Sequence, residues 1–200
     1  MYNSVRKKLQ ALYYIQENAP ENNSSRHNIM YLLKLLYFAD RYHIRRFGFI
    51  ASGDKYYAMK NGAVASLTYD ILKTKSIQIN PAEIGLLSDI LSVSEHEVKI
   101  SSQADDELSE SFKEALNFSI QTFGNFSHWD LSDISHNYPE WKKLKEKLDE
   151  DSSIPMDMKD FFENPETIAN LKQYNMNKDP YDEEEEFLSA MKIDFCENSI

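Results

Sequence analysis

Apolar residues recur at helical spacing over the first quarter of the chain. Val5, Leu9, Leu12 and Ile15 or Gln16 mark one stripe, which predicts a helix over 4–18 closed by Pro20. Residues 21–25 read as a loop ending in a capping serine, followed by a second helix over 26–46. On a wheel, Ile29, Leu32, Leu33, Leu36, Ile44 and Phe47 fall on one face of that helix, and Asp40 and His43 lie inside the same stripe. The pattern then shortens. Gly48, Gly53 and Gly62 bracket two extended pieces, Phe49-Ile-Ala51 and Lys55-Tyr-Tyr-Ala-Met59, which predict a small hairpin. Lys60-Asn-Gly62 supplies a tight turn, and Ser66 is the expected cap of a helix reaching residue 73.

Further along, the pattern predicts a short strand at 77–79, a helix over 81–91 and an alternating strand over 96–101. Asp105-Asp-Glu-Leu-Ser109 caps a helix running to residue 123 and stopped by Gly124. Ser127-His-Trp-Asp130 is a capping box opening a helix to about residue 136, and Pro139 starts another over 140–149. The whole reads as mainly α, a compact helical domain with one or two short hairpin pieces. Five glycines and six prolines in 200 residues agree, being too few for a turn-rich sandwich or barrel.

Charge divides the chain. Through Gln78 there are 12 Lys and Arg against 5 Asp and Glu; beyond it there are 10 against 28. An acidic chain repels nucleic acid, so a direct nucleic-acid role is not expected, whereas a basic protein surface suits the acidic half. No segment approaches the roughly 18 uncharged apolar residues of a membrane span, and the single Cys196 offers no internal disulfide. The expectation is a soluble cytoplasmic protein without a membrane partner. After Ser153 the chain becomes acidic and proline-cut. Residues 1–150 are accordingly expected to form the main domain and 151–200 an acidic extension. Its earlier apolar residues are expected to pack on the core, and its last ones to contact a partner.

Candidate chemistry is sparse. Asp40 and His43 on an apolar stripe need partners: they form an acid–base dyad, or they are a satisfied buried pair holding the following turn, the latter being the weightier reading. The other face of the second helix carries Tyr31, Phe38 and Tyr42 beside Lys34, Arg41 and Arg45. Exposed, that is a binding hot spot; the weightier reading is that neighbours cover it while its basic ends reach solvent. His128 and His136 would lie about 12 Å apart on one helix, too far to share an ion, and His136 is expected beside Trp129 and Asp133 as a packed, hydrogen-bonded side chain. No cofactor, metal or catalytic nucleophile is expected.

The blocks Lys34-Leu-Leu-Tyr-Phe-Ala-Asp-Arg-Tyr-His43, Gly48, Tyr57-Ala-Met-Lys-Asn-Gly-Ala-Val-Ala-Ser66 and Tyr69-Asp-Ile-Leu-Lys73 resemble the Panacea domain of SocA-like antitoxins. So do Asp105-Asp-Glu-Leu-Ser-Glu110 with Gly124, and Leu131-Ser-Asp-Ile-Ser-His136 followed by Trp141. Asn61-Gly-Ala-Val64 stands where Asn-Gly-Pro-Val is usual, and Ser135 where threonine is common. The resemblance implies a structural motif of Asp40, His43, Asn61, Gly62, Trp129, Asp133, His136 and Trp141. It also implies an antitoxin that neutralises a cognate toxin by direct contact, in a family with phage-associated members, the SocA type also serving as an adaptor to a ClpXP-type protease. The other expectations are a stand-alone adaptor without a toxin and a hydrolase using Asp40 and His43. The expected toxin contact combines the Tyr31, Lys34, Phe38, Arg41, Tyr42 and Arg45 face with Asp182, Glu183, Glu184, Glu185, Glu186 and Phe187. Deleting 180–200 is expected to weaken neutralisation and leave the main helices folded.

Overall fold

A computed structural model describes residues 2–73, 90–101, 107–149, 152–166, 171–181 and 185–198. The fold is built around one helix. Helix α2 (Ile29–Phe47) is buried on nearly every side, and α1 (Tyr2–Asn18), α3 (Ser66–Leu72), α4 (Glu110–Phe123), α5 (His128–Ser135) and α7 (Glu185–Asn198) all pack against it. The short helix α6 (Pro139–Lys142) brings its base under the same core. Among the described residues the strands form two small antiparallel sheets. One orders β2 (Gly62–Ala65), β1 (Tyr56–Met59) and β5 (Ile154–Pro155); the other pairs β3 (Leu91–Val93) with β4 (Val98–Ile100). The protein is mainly α with short hairpins, as its apolar pattern indicates.

The start of α2 is set by Asn28 rather than by the loop serine at 25. Asn28 Oδ1 accepts from the Met30 and Tyr31 amides at 2.8 and 3.3 Å, satisfying two of the helix's unpaired donors. Gly48 ends it in the left-handed region (φ 82°). The predicted α1 stripe of Val5, Leu9, Leu12 and Ile15 is buried, and Gln16 beside it acts as a missing strand neighbour for β4. Its amide nitrogen donates to the Val98 carbonyl at 2.6 Å and its oxygen accepts from the Ile100 amide at 3.1 Å.

Three local expectations shift. The hairpin is β1–β2, pairing Tyr57 with Val64 and Ala58 with Ala63 across the 60–61 turn, whereas Phe49–Ala51 forms a bend and not a strand. Ser66 is the first helical residue of α3 and not its cap. The helix begun by Pro139 stops at Lys142, then continues as a 3-10 turn, Lys145–Lys147. Ser109 and the Ser127–Asp130 capping box sit where the sequence puts them. The expected strand at 77–79 and nearly all of the helix over 81–91 lie outside the described residues; Leu91 opens β3.

The segment after residue 151 is continuous with the core. β5 adds to β1 with Ala58 opposite Ile154, and Phe161, Phe162, Leu171 and Tyr181 are buried.

Candidate functional site

Four side chains hold four carbonyls of the β1–β2 turn. Trp141 Nε1 donates to the Met59 carbonyl at 2.9 Å, Ser132 Oγ to Asn61 at 2.9 Å, and Lys34 Nζ to Ala63 at 2.8 Å. The His136 ring donates to the Lys60 carbonyl between them. These residues come from α2, α5, the end of α5 and α6, so one turn ties three helices together. Gly62 takes φ 97°, and a β-carbon there would stand 2.7 Å from Lys34 Nζ. Burial lowers the Lys34 ammonium to about 7. Burial, with Lys34 and Lys145 nearby, lowers His136 to about 4, so its ring is neutral at ordinary pH. His136 stacks on Trp141 with ring centres 3.8 Å apart.

A second anchor lies at the far end of α2. Asp40 Oδ1 accepts from the Ser52 amide at 2.9 Å, and Oδ2 from the Tyr56 hydroxyl at 2.7 Å and the Ser52 hydroxyl. Burial raises the Asp40 carboxyl to about 6 against those donors. His43 bonds through Nδ1 to the Phe49 carbonyl at 2.8 Å and through Nε2 to Ser111 Oγ at 3.0 Å. The two side chains hold different parts of the following turn and not each other, so the satisfied pair, and not an acid–base dyad, is what this geometry builds. Asp54, which the helical pattern did not single out, caps α3 from a distance: its carboxylate accepts from the Leu67 and Thr68 amides, both at 2.9 Å.

Neighbours cover the aromatic and basic face of α2, as the weightier expectation had it; the exposed hot spot of Tyr31, Lys34, Phe38, Arg41 and Arg45 is not formed, and the basic side chains, expected to reach solvent, are buried as well. Tyr31 donates to the Gly124 carbonyl at 2.7 Å, and Phe38 stacks on Phe123 with centres 4.1 Å apart. Arg41 Nη1 meets Glu140 Oε1 at 3.2 Å, both side chains fully enclosed, and the Tyr37 hydroxyl donates to the same carboxylate oxygen at 2.6 Å. Burial pushes Glu140 above the ordinary carboxylate value while Arg41 and Tyr37 pull it back. Arg41 also donates to the Phe161 and Glu163 carbonyls, and Arg45 to those of Phe161 and Tyr181. Tyr181 lies with its ring 5.0 Å from the Arg41 guanidinium, its hydroxyl on the Phe38 carbonyl at 3.0 Å. The two arginines therefore clasp the C-terminal segment and never reach solvent. Tyr42 is half-buried, stacked on Phe118 and donating to Glu114 Oε1 at 2.7 Å. Glu140 and Tyr181, the partners that close this cluster, carry no periodic or motif signal in the sequence.

Two residues of the implied motif, Trp129 and Asp133, lie outside. Trp129 is 60% exposed and packs against the His128 ring, so the expected grouping of Trp129 with a buried His136 is not formed. Asp133 is exposed and its Oδ2 accepts from the Tyr174 hydroxyl at 3.3 Å. An open surface cavity of about 280 Å³ lies beside it, walled by Asp133, His136, Asn137, Lys142, Lys145 and Gln173 over the edge of Trp141. On α7, Leu188 is buried while Phe187 (42%) and Ile193 (61%) face solvent beside an exposed Glu186. Glu185 opens that helix; Asp182, Glu183 and Glu184 lie outside the described residues. Among the described residues no helix is long and apolar enough to cross a membrane.

No curated protein and no solved structure matches this chain. A family model described as antitoxin SocA-like, Panacea domain, matches residues 32–142, a span that holds α2 from Leu32 onward, the clamped turn and the whole of α4 to α6. The chain belongs to the SocA-like antitoxin family that carries the Panacea domain.

Proposed function

We propose that this protein is the antitoxin of a toxin–antitoxin pair and neutralises its toxin by direct protein contact, with the outer face of α7 as part of the contact. The observation that carries the reading is a division of labour. Within the family pattern Lys34, Asp40, His43, His136 and Trp141 are spent on internal bonds that fix the α2 scaffold, while large apolar side chains of α7 are left in solvent away from them. Phe187 and Ile193 are such residues, set in an acidic stretch that suits a basic partner surface and would speed its approach.

Co-expression with the product of the adjacent reading frame tests this. Growth rescue and co-purification of the two proteins are expected; a neighbour that is toxic and neither rescued nor captured overturns the reading. Repeating the rescue in a host lacking ClpXP separates neutralisation by contact from hand-over to a protease.

A further inference from the structure

His43 is bonded to a serine 68 positions further along the chain, too far for any sequence motif to join them: its Nε2 lies 3.0 Å from Ser111 Oγ, and its Nδ1 lies 2.8 Å from the Phe49 carbonyl. A carbonyl can only accept, so Nδ1 carries the proton of the ring. Burial holds His43 below the ordinary histidine value, Lys7 acting the same way and the Phe49 carbonyl and Glu114 against it, so the ring is neutral at pH 7 and above. Nε2 is then a lone pair, and the Ser111 hydroxyl must donate to it. Ser109 Oγ, 3.1 Å from Ser111 Oγ, is left as the donor of that pair while it accepts from the Phe112 amide at 3.2 Å. Each proton of the chain Ser109, Ser111, His43 has one place. A hydroxyl aimed at a neutral imidazole whose far nitrogen is held on an oxygen is the arrangement that activates a serine.

The surroundings of this pair suit a reaction at its outer end. Ser111 is partly exposed in the first turn of α4, and among the described residues the Glu110 and Ser111 amides enter no hydrogen bond, which leaves two donors for an oxyanion. Phe49 meets the His43 ring edge-on with centres 4.6 Å apart and is 53% exposed, an apolar surface beside the serine's base. We propose that Ser111 is a nucleophile, with His43 as its general base, acting on esters that carry an apolar acyl group. Ser111 Oγ bonds to the ester carbonyl carbon as its proton passes to His43 Nε2, and the Glu110 and Ser111 amides meet the oxyanion. The ester C–O bond then breaks, the imidazolium returns the proton to the departing alkoxide, and an acyl-serine remains with its acyl chain against Phe49. Water, deprotonated by the same Nε2, releases the carboxylic acid and restores the hydroxyl. This activity stands apart from toxin neutralisation and needs none of the α7 surface.

The purified full-length chain is treated with a long-chain alkyl fluorophosphonate, and phosphonylated residues are mapped by mass spectrometry over time. Ser109 is the control within the same molecule, exposed and two residues away but with no histidine to take its proton. Ser111 is expected to be labelled about a hundredfold or more faster than Ser109, the range of general-base assistance. With p-nitrophenyl butyrate, the wild-type chain is expected to release a burst of p-nitrophenolate stoichiometric with protein, and Ser111→Ala none. Phe49→Ala, a change at an exposed side chain, should slow the long-chain probe more than its ethyl counterpart. Equal rates at the two serines of the folded wild-type chain, or a burst that is absent or survives Ser111→Ala, overturns the nucleophile. Equal slowing of both probes by Phe49→Ala overturns the apolar acyl specificity.

Discussion

The Lys34 ammonium stands 2.7 Å from the point that a β-carbon on Gly62 would occupy, with Ser135 Oγ closer still. The turn is therefore closed from both sides: positive φ excludes most side chains from the backbone, and the lysine leaves no space for one. Gly62→Ala is expected to destabilise the protein by about 2–3 kcal/mol, combining left-handed strain with displacement of two bonded side chains. Denaturant unfolding of the variant measures this. A loss under about 0.5 kcal/mol, the range of a neutral surface change, would mean that the turn is not clamped as described.

Lys34 also makes stability depend on pH in a direction that can be worked out. Its ordinary value is 10.5 and burial in the fold lowers it to about 7. Between those values the unfolded chain holds the proton and the folded one does not, so raising pH favours the fold. Below pH 7 both states are charged and the cost of enclosing the ammonium is fully present. Wild-type stability should then climb from pH 7 towards pH 10 relative to Lys34→Met, which has no proton to lose. Unfolding curves of the two proteins across that range read the difference; parallel profiles would show that Lys34 stays charged in the fold.

Arg41 and Glu140 form an enclosed ion pair at 3.2 Å that also carries Tyr37 and the Phe161 carbonyl. Removing one member strands a buried charge, so Arg41→Met is expected to cost roughly 3–5 kcal/mol. The paired change Arg41→Met with Glu140→Leu should recover part of that loss, because no charge is then left unpaired. Thermal unfolding of the two single variants and the double variant forms the cycle. A double variant no more stable than Arg41→Met alone would show that the arginine's bonds to the Phe161 and Glu163 carbonyls, and not the ion pair, carry the effect.

The apolar periodicity of α1 and α2, the capping box at Ser127 and the stop at Gly48 were readable because each depends on residues within one or two turns of each other. The role of Asp54 was not, since it caps α3 from twelve or more positions upstream, and nothing local marks it. The same holds for the α2 face. A stripe of Tyr31, Phe38 and Arg41 looks alike whether it meets solvent or a second layer, and the layer here comes from residues 140, 161 and 181, about 100 or more positions away. Pattern places residues on a face; only the tertiary partners decide whether that face is outside. Trp129 shows the converse. It shares the angular position of His136 on an ideal helix, yet it stays 60% exposed, packed on the His128 ring.

The boundary of the C-terminal piece can be tested by where it is cut. A deletion of 180–200 removes Tyr181, whose hydroxyl holds the Phe38 carbonyl and whose own carbonyl receives Arg45. It therefore damages the core, contrary to the expectation that the main helices are left intact. A deletion of 182–200 keeps Tyr181 and loses mainly the packing of Leu188, Met191 and Phe195, with a buried leucine worth about 2 kcal/mol. The shorter deletion should unfold cooperatively at a moderately lower temperature, and the longer one should lose several kcal/mol more, a buried aromatic being worth roughly 3–5 kcal/mol. Both should fail to neutralise the toxin. In the full chain, Phe187→Ser with Ile193→Ser should also weaken neutralisation without a change in unfolding temperature, because both side chains are in solvent. Full protection by that variant would move the contact off α7, whatever the deletions do to stability.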